Sequence, residues 1–472
     1  MGSLLPIITL PIFTRFLSVE DYGVYALLIA FAVFVSGVAN FGLTIGYERN
    51  FFEANGNIQK ITALLYSTLS FVICTTLIMG FVTYLFREQI ASLILGNTKY
   101  GELLVWAFFS YSITTIKTYF LMYFKNTENA KSFVWYSIDE NLLNVGFSLF
   151  FVTYLKIGVS GLIFGQLIAS SIILSILFYK FLTRMPYAFS YVMLRESLKL
   201  SLPLTSKIFF GVLGTHFDKY LINLLGSLGG VGIYSLGQKI ANIVFVFMTS
   251  VQNVYAPQVY KRMFEMDEKT GSESIGKYLT PFLFLSIFAS LLVSIFAEEV
   301  ITILTPNSYH SAIDVVNILA MLFASYFFGK QPQLVYAKKT MLTSWLTLTS
   351  IGLNIAINIP FIYYLGVIGA AWGTLTAGLI SGAISFIISQ RYYEIKWEYG
   401  KILTMYLSYF TFAILTISLR NYQVPYELRF GIKILCVIYF LYLAKKFSYL
   451  TKANFMMVKG IVRPSRKVPE AV

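Results

Sequence analysis

Residues 61–86 have the sequence ITALLYSTLSFVICTTLIMGFVTYLF, a run of 26 residues without a charged side chain. The hydrocarbon core of a bilayer is about 30 Å thick, so a helix needs about 20 apolar residues to cross it. Comparable uncharged runs occur at residues 278–296 and 402–419. Because the runs are continuously apolar, they predict membrane-spanning helices and exclude the alternating strands of an outer-membrane barrel.

The composition extends this prediction to the whole chain. Of 472 residues, 57% are hydrophobic and 12% are charged, whereas soluble domains are about 25% charged. The mean hydropathy is +0.71. We therefore expect an all-α integral membrane protein with about fourteen transmembrane helices. These lie near residues 2–17, 22–46, 61–86, 102–124, 132–155, 158–182, 200–225, 230–254, 277–297, 312–336, 340–365, 367–389, 401–419 and 430–447.

The distribution of basic residues predicts the orientation. When the N-terminus is placed in the cytoplasm, the cytoplasmic loops and tail hold 25 of the 36 Lys and Arg residues, and the external loops hold six. This asymmetry follows the positive-inside rule and puts both termini in the cytoplasm. The net charge of +14 therefore faces anionic membrane lipid, and we expect no nucleic-acid partner. The segment after Met1 lacks the basic residues that open a cleavable signal peptide, so we expect none.

An internal repeat divides the chain. Gly23 recurs as Gly232 within matching Gly-x-Tyr segments, at an offset of 209 residues, and Gly158 recurs as Gly366 at an offset of 208. The period covers six predicted helices, an even number, so both copies have the same orientation. Parallel halves of this kind are common in transporters, with the substrate path between them. We expect an N-terminal lobe at residues 1–183, a second lobe at 200–389, two extra helices at 401–447 and a basic cytoplasmic tail at 448–472.

Several basic residues lie in or beside predicted spans. Lys117, Lys207 and Lys239 lie inside spans 4, 7 and 8, and Arg15 and Arg49 lie near span ends. A charge facing lipid costs about 3 kcal/mol or more, so such side chains are expected to face the bundle interior. One hypothesis is that these five residues line a cationic cavity for an anionic head group.

The alternative is that the embedded cations pair internally. Lys117 or Lys239 then forms an ion pair with Asp139, Glu140 or Asp218 and locks helices together without binding a ligand. The sequence leaves both interpretations open.

Span 8 also carries a polar stripe. Ser235, Lys239, Asn242, Thr249 and Asn253 recur at roughly helical spacing. We expect this stripe to face the bundle interior as well.

The search for catalytic groups finds little. His216 and His310 are the only histidines, which excludes a His-rich metal site, and no GxxxxGK[ST] loop is present. Asp139 and Glu140 are adjacent, so on a helix they point about 100° apart and do not form a paired acid/base dyad. Cys74 and Cys436 lie in apolar spans and suggest neither a disulfide framework nor a metal cluster. We expect no enzyme activity and no cofactor.

A family resemblance comes from the segment joining the first two spans. Residues 10–25, LPIFTRFLSVEDYGVY, resemble the opening signature of the polysaccharide-repeat (Wzx-type) flippases, the O-antigen and capsule exporters of the multidrug/oligosaccharidyl-lipid/polysaccharide superfamily. Residues 218–222 (DKYLI), 232–235 (GIYS) and 256–257 (AP) also resemble that family.

The resemblance implies a fold and a function. The fold would be two six-helix lobes in a V around a central cavity, as in the multidrug exporters, with two extra helices. The function would be translocation of an undecaprenyl-pyrophosphate-linked oligosaccharide across the inner (cytoplasmic) membrane for surface polysaccharide synthesis. Asp139, Glu140 and Asp218 are candidate coupling sites for a proton or sodium gradient. A polysaccharide polymerase and a chain-length regulator are expected partners.

Two other functions are compatible with the sequence. A cation-coupled multidrug antiporter of the same fold would need an acidic cavity, whereas the embedded charges here are mainly basic. A scaffold of a polysaccharide assembly complex would carry out no transport of its own.

Overall fold

The structure is a computed structural model that describes residues 8–328 and 332–449, except for the side chains at 204, 206–208, 213, 328 and 340. The start of the first expected span and nearly all of the basic tail lie outside the described residues. Within the described part the chain is helical and contains no strand. The α-helices are α1 (Leu10–Phe16), α2 (Val19–Ala39), α3 (Leu43–Glu53), α4 (Ile58–Leu85), α5 (Arg87–Leu95), α6 (Gly101–Asn126), α7 (Ala130–Leu149), α8 (Val159–Arg184), α9 (Tyr191–Leu225), α10 (Leu228–Glu265), α11 (Glu268–Ile295), α12 (Ala297–Leu304), α13 (Ala312–Ser325), α14 (Pro332–Tyr336), α15 (Thr340–Gln390), α16 (Tyr399–Asn421) and α17 (Tyr426–Lys446).

Seven of the described helices are long and apolar enough to cross a bilayer by length and composition: α2, α4, α8, α10, α11, α15 and α16. The quoted run at residues 61–86 falls almost entirely in α4. The number of fourteen spans stays a prediction. Some boundaries differ from those expected, because α9 and α10 are longer than spans 7 and 8, and the region of span 10 contains the separate helices α13 and α14.

The expected spans 11 and 12 form one continuous stretch, α15, with a break at Gly366. Gly366 has φ 59° and ψ −136°, and Gly158, which precedes α8, has φ 61° and ψ −137°. Residues other than glycine rarely adopt such backbone angles. The two glycines related by the 208-residue offset therefore have the same backbone conformation, which supports the internal repeat.

A second pair of repeat-related glycines forms a close helix crossing. A methyl group on Gly23 in α2 would collide with the carbonyl oxygen of Leu228, and one on Gly232 in α10 would collide with that of Val19. The added carbon on Gly232 would also lie 3.0 Å from the amide nitrogen of Gly23. Val19 and Leu228 are themselves 209 residues apart, so the contact is reciprocal. Only glycine at both positions permits this approach.

The segment that resembles the exporters, residues 10–25, contains the residues that cap the start of α2. Ser18 caps α2: its Oγ accepts a hydrogen bond from the Asp21 amide at 3.1 Å, and Asp21 Oδ2 accepts one from the Ser18 amide at 3.0 Å. This reciprocal arrangement is a capping box, which satisfies two backbone donors at the start of the helix. Tyr22, the next residue, packs edge-on against Tyr309 at 5.7 Å.

The helix α11 begins with a simpler N-cap, without the reciprocal bond of a capping box. The Asp267 side chain accepts a hydrogen bond from the Thr270 amide at 3.0 Å. Hydrogen bonds from the backbone and side chain of Thr270 lower the pKa of the Asp267 carboxyl, because they stabilise its charged form.

By contacts, the chain forms two compact units. Unit 1 comprises residues 1–236, 302–310 and 358–370, and unit 2 comprises 237–301, 311–357 and 371–472. In unit 1, buried rings of α3, α6 and α8 such as Tyr47, Tyr119 and Phe120 pack in one apolar cluster. In unit 2, α13 is buried over almost its whole length. The sequence-based division into two six-helix lobes stays a prediction.

Candidate functional site: polar groups on the spanning helices

The best-connected polar group in unit 1 joins α6, α7 and α8. The ammonium of Lys117 donates a short hydrogen bond to Glu140 Oε2 and forms an ion pair with it. Ser170 Oγ donates to the other oxygen, Glu140 Oε1, at 2.8 Å and lies 3.0 Å from Thr114 Oγ1. Only 3% of the Lys117 side chain is exposed. Of the two interpretations of Lys117, the internal ion pair is therefore the one observed.

A second buried group surrounds Asp218 on α9. Tyr234 Oη donates to Asp218 Oδ2 at 2.9 Å, and Asn358 Nδ2 lies 3.4 Å from Oδ1. The adjacent Lys219 is also buried, and its ammonium lies 3.4 Å from His216 Nδ1. Asp218 is thus held by neutral donors from two other helices. Sequence reasoning did not find Tyr234 or Asn358 as its partners.

Lys239 in unit 2 has a different environment. It is half-buried in the spanning helix α10, and within the described part of the chain its ammonium has no hydrogen bond or ion pair. On the same helix Asn242 and Asn253 are exposed, and Thr249 and Ser235 are partly exposed. A polar face of this kind is costly against lipid. The stripe has the composition of a wall that faces water.

The remaining predicted site residues are scattered. Arg15 is exposed in the last turn of α1, with no ion pair among the described residues. Arg49 is exposed and forms an ion pair with Glu53 in the same helix, and it donates to Asn50 Oδ1 at 2.9 Å. Such exposed pairs contribute little to stability.

The last two predicted site residues are Asp139 and Lys207. Asp139 is partly exposed on α7 and has no hydrogen bond within the described part of the chain. The side chain of Lys207 lies outside the described residues. Among the predicted site residues whose side chains the structure describes, only Lys117 and Glu140 form an ion pair with each other.

An ion-pair cluster near the start of α17 was missed. The Lys433 ammonium donates to Glu298 Oε2 and Glu299 Oε1, both at 2.7 Å, and Arg429 lies 2.8 Å from Glu298 Oε1. Only 2% of the Lys433 side chain is exposed. Both cations lie near the predicted external end of the span expected at 430–447. Their four-residue spacing, which puts them on one helical face, was the available signal.

Comparison with known proteins assigns the family. Residues 1–263, more than half of the chain, match the family model described as polysaccharide biosynthesis protein. The chain belongs to this family. This confirms the resemblance found in the sequence, and the family's matched region contains both the capping segment of α2 and all but the last two residues of α10.

The family assignment agrees with individual relatives. A probable low-salt glycan biosynthesis flippase, Agl15 of Haloferax volcanii, is 22% identical over 196 residues, which are 41% of this chain and 41% of that protein. The alignment thus spans less than half the length of this curated relative.

Solved structures show the same fold. The lipid II flippase MurJ in an inward closed conformation has a TM-score of 0.72 at 18% identity, covering 94% of this chain and 97% of MurJ. An inward-facing multidrug resistance MATE transporter has a TM-score of 0.60 at 15% identity, covering 86% and 95%. The expected fold class, an all-α integral membrane protein with the fold of these transporters, is confirmed.

Proposed function

We propose that this protein is a flippase that moves a lipid-linked glycan across the membrane. Its family and its fold support this proposal. The observation that carries it is the polar stripe of α10 with Lys239, whose ammonium has no ion pair among the described residues. The names of the similar proteins, which are flippases, also favour transport over catalysis.

The stripe has the chemistry that such a substrate requires. A sugar entering hydrocarbon loses hydrogen bonds to water, which costs several kcal/mol per unsatisfied group. The amides of Asn242 and Asn253 replace some of those bonds. An ammonium without a carboxylate partner, as at Lys239, attracts an anionic head group, whereas the paired ammonium of Lys117 is already neutralised.

We infer that the substrate is an undecaprenyl-pyrophosphate-linked oligosaccharide repeat unit. It would cross the cytoplasmic membrane for O-antigen, capsule or another surface polysaccharide, with a polymerase and a chain-length regulator as partners and both termini in the cytoplasm. Arg15 and Lys207 are further candidates for contact with the pyrophosphate. Asp139 and Asp218 are the candidates for ion coupling, since Glu140 is engaged by Lys117.

The other candidate functions have weaker support. A multidrug antiporter shares the fold, but the unpaired embedded charge on α10 is basic, which repels cationic drugs. A scaffold without transport does not require a polar face on a spanning helix.

Reconstitution tests the proposal. The purified protein is placed in liposomes with a fluorescent undecaprenyl-pyrophosphate-linked oligosaccharide, and the fraction accessible to a membrane-impermeant quencher is followed with time. We expect wild-type protein to make the probe of both leaflets accessible to the quencher, because it moves the probe between the leaflets. Lys239→Ala should slow this exchange about tenfold or more, because it removes one charge interaction with the head group.

Lys261→Ala is the matched control, since Lys261 lies on the same helix but is exposed at its end. It should leave the rate unchanged. Absence of exchange with wild-type protein, or transport of a cationic dye instead, would overturn the flippase proposal. Equal rates for both variants would remove Lys239 from the path.

A further inference from the structure

Unit 2 contains an apolar pocket between the second half of α15 and α16. Its volume is about 300 Å³, and its wall includes Leu379, Phe386, Trp397, Tyr406 and Phe410. No residue of α10 is among the residues that line it, and the proposed transport function assigns it no role.

Three polar side chains of the wall, those of Ser325, Tyr399 and Tyr406, already bond within the protein. Ser325 Oγ donates to the Leu322 carbonyl at 2.6 Å, and Tyr406 Oη donates to that of Ala324 at 2.9 Å. Tyr399 Oη accepts a hydrogen bond from Gln390 at 3.2 Å. The surface offered to a ligand is therefore mainly hydrocarbon and aromatic, which suits an aliphatic chain rather than a sugar.

The dimensions match one leaflet of a bilayer. The wall follows α16 from Tyr399 to Phe410, eleven residues apart, which is about 16 Å along a helix. Half of the hydrocarbon core is about 15 Å. Trp397 and Tyr399 lie at the end of the pocket that the charge distribution places on the cytoplasmic side, and both residue types favour the membrane–water interface.

The cytoplasmic end of the pocket also has positive charge. Arg391 follows Gln390, whose amide bonds Tyr399, and is exposed with no ion pair in the described part of the chain. The nearby Lys396 and Lys401 have carboxylate partners at 2.9 and 2.7 Å. Arg391 thus remains available to a phosphate at the membrane surface.

We propose that this pocket binds one acyl chain of an anionic phospholipid of the cytoplasmic leaflet, with the lipid phosphate beside Arg391. The lipid fills the space between α15 and α16 and joins the extra helices to the preceding span. The depth of the pocket wall, about the thickness of one leaflet, favours a two-chain phospholipid over the longer tail of a polyprenyl carrier.

A pocket-filling substitution tests this site. An added carbon at Gly382, which lines the pocket, meets no atom within 4 Å, and the same holds for Gly352 on the same helix outside the pocket. Gly382→Leu therefore adds a side chain at the pocket wall where its Cβ has room, and Gly352→Leu is its matched control. The full chain in detergent is titrated with phosphatidylglycerol and, separately, phosphatidylcholine, and bound lipid is counted by native mass spectrometry.

We expect wild-type protein and Gly352→Leu to bind a first phosphatidylglycerol molecule more tightly than any further phosphatidylglycerol molecules. Gly382→Leu should bind this first molecule about tenfold more weakly than wild-type protein does. Arg391→Gln should lose the preference for phosphatidylglycerol over phosphatidylcholine. Equal binding by the two leucine variants would overturn the site. Displacement of phosphatidylglycerol by undecaprenyl phosphate in wild-type protein but not in Gly382→Leu would instead assign the pocket to a polyprenyl tail. Both variants must elute as wild-type protein on size exclusion.

Discussion

At the scale of single residues, the embedded charges differ in whether they have partners. Lys117 and Lys433 are almost fully buried and paired with glutamates, whereas Lys239 is partly exposed and has no partner in the described chain. The sequence identified Lys117 and Lys239 as similar lysines inside apolar spans. It did not distinguish them, because the distance from Lys117 to Glu140 depends on how α6 packs against α7.

The Lys117–Glu140 pair leads to a stability prediction. Lys117→Met leaves the Glu140 carboxylate, whose side chain is only 16% exposed, without its cation, which should lower the free energy of unfolding by about 3–5 kcal/mol. The double variant Lys117→Met/Glu140→Gln removes both charges and retains an acceptor for Ser170, so it should recover most of that loss. Thermal unfolding in detergent measures both. A single variant as stable as wild-type protein would contradict the ion pair.

At the scale of helices, glycines decide where elements meet and where they break. The repeat in the sequence pointed to Gly23, Gly232, Gly158 and Gly366. It did not indicate that the first two glycines contact each other, nor that the other two share one backbone conformation. A crossing between helices that are 209 residues apart depends on the whole path of the chain between them.

The crossing of α2 and α10 gives a second prediction. Gly23→Ala places a methyl group against the Leu228 carbonyl and should lower the melting temperature and the exchange rate. Gly37→Ala on the same helix meets no atom within 4 Å and serves as the control. It should be neutral or slightly stabilising, because alanine favours helix. The proposed crossing would be refuted if Gly23→Ala behaved like Gly37→Ala in both assays.

The break in α15 gives a third prediction. Gly366→Ala forces a side chain into a conformation that costs of order 1–3 kcal/mol, and the free energy of unfolding should fall by a similar amount. Gly352→Ala, in a helical part of α15 with open space around it, should not be destabilising. Urea or thermal unfolding of the purified variants distinguishes them, and equal stabilities would argue against a strained backbone at Gly366.

At the scale of the whole molecule, the compact units do not coincide with the repeat boundaries. Unit 1 contains residues 302–310 and 358–370 together with the first 236 residues. The repeat is a property of sequence and local conformation, whereas the units depend on contacts between distant segments. No local pattern in residues 302–310 indicates that Tyr309 donates a hydrogen bond to the Leu17 carbonyl at 2.8 Å.

The predicted orientation gives a fourth test. Lys99→Cys places an exposed thiol in a predicted external loop, and Lys131→Cys places one in a predicted cytoplasmic loop. Each substitution is made in a chain whose own cysteines are replaced, by Cys74→Ala and Cys436→Ala. A membrane-impermeant maleimide applied to intact cells should label only the first. Lys131→Cys should react after permeabilisation. The opposite pattern would invert the topology inferred from the basic residues.

The amino-acid sequence by itself determined that the protein lies in a membrane, that it is helical, which family it resembles and that it contains a repeat. These conclusions rest on apolar length, charge asymmetry and glycine spacing, which can be read directly along the chain. Only the tertiary structure decided which embedded charges are neutralised, which glycines meet, and that an apolar pocket separates α15 from α16. Those features depend on side chains tens to hundreds of residues apart in the chain. Their distances follow from helix packing, which no local pattern encodes.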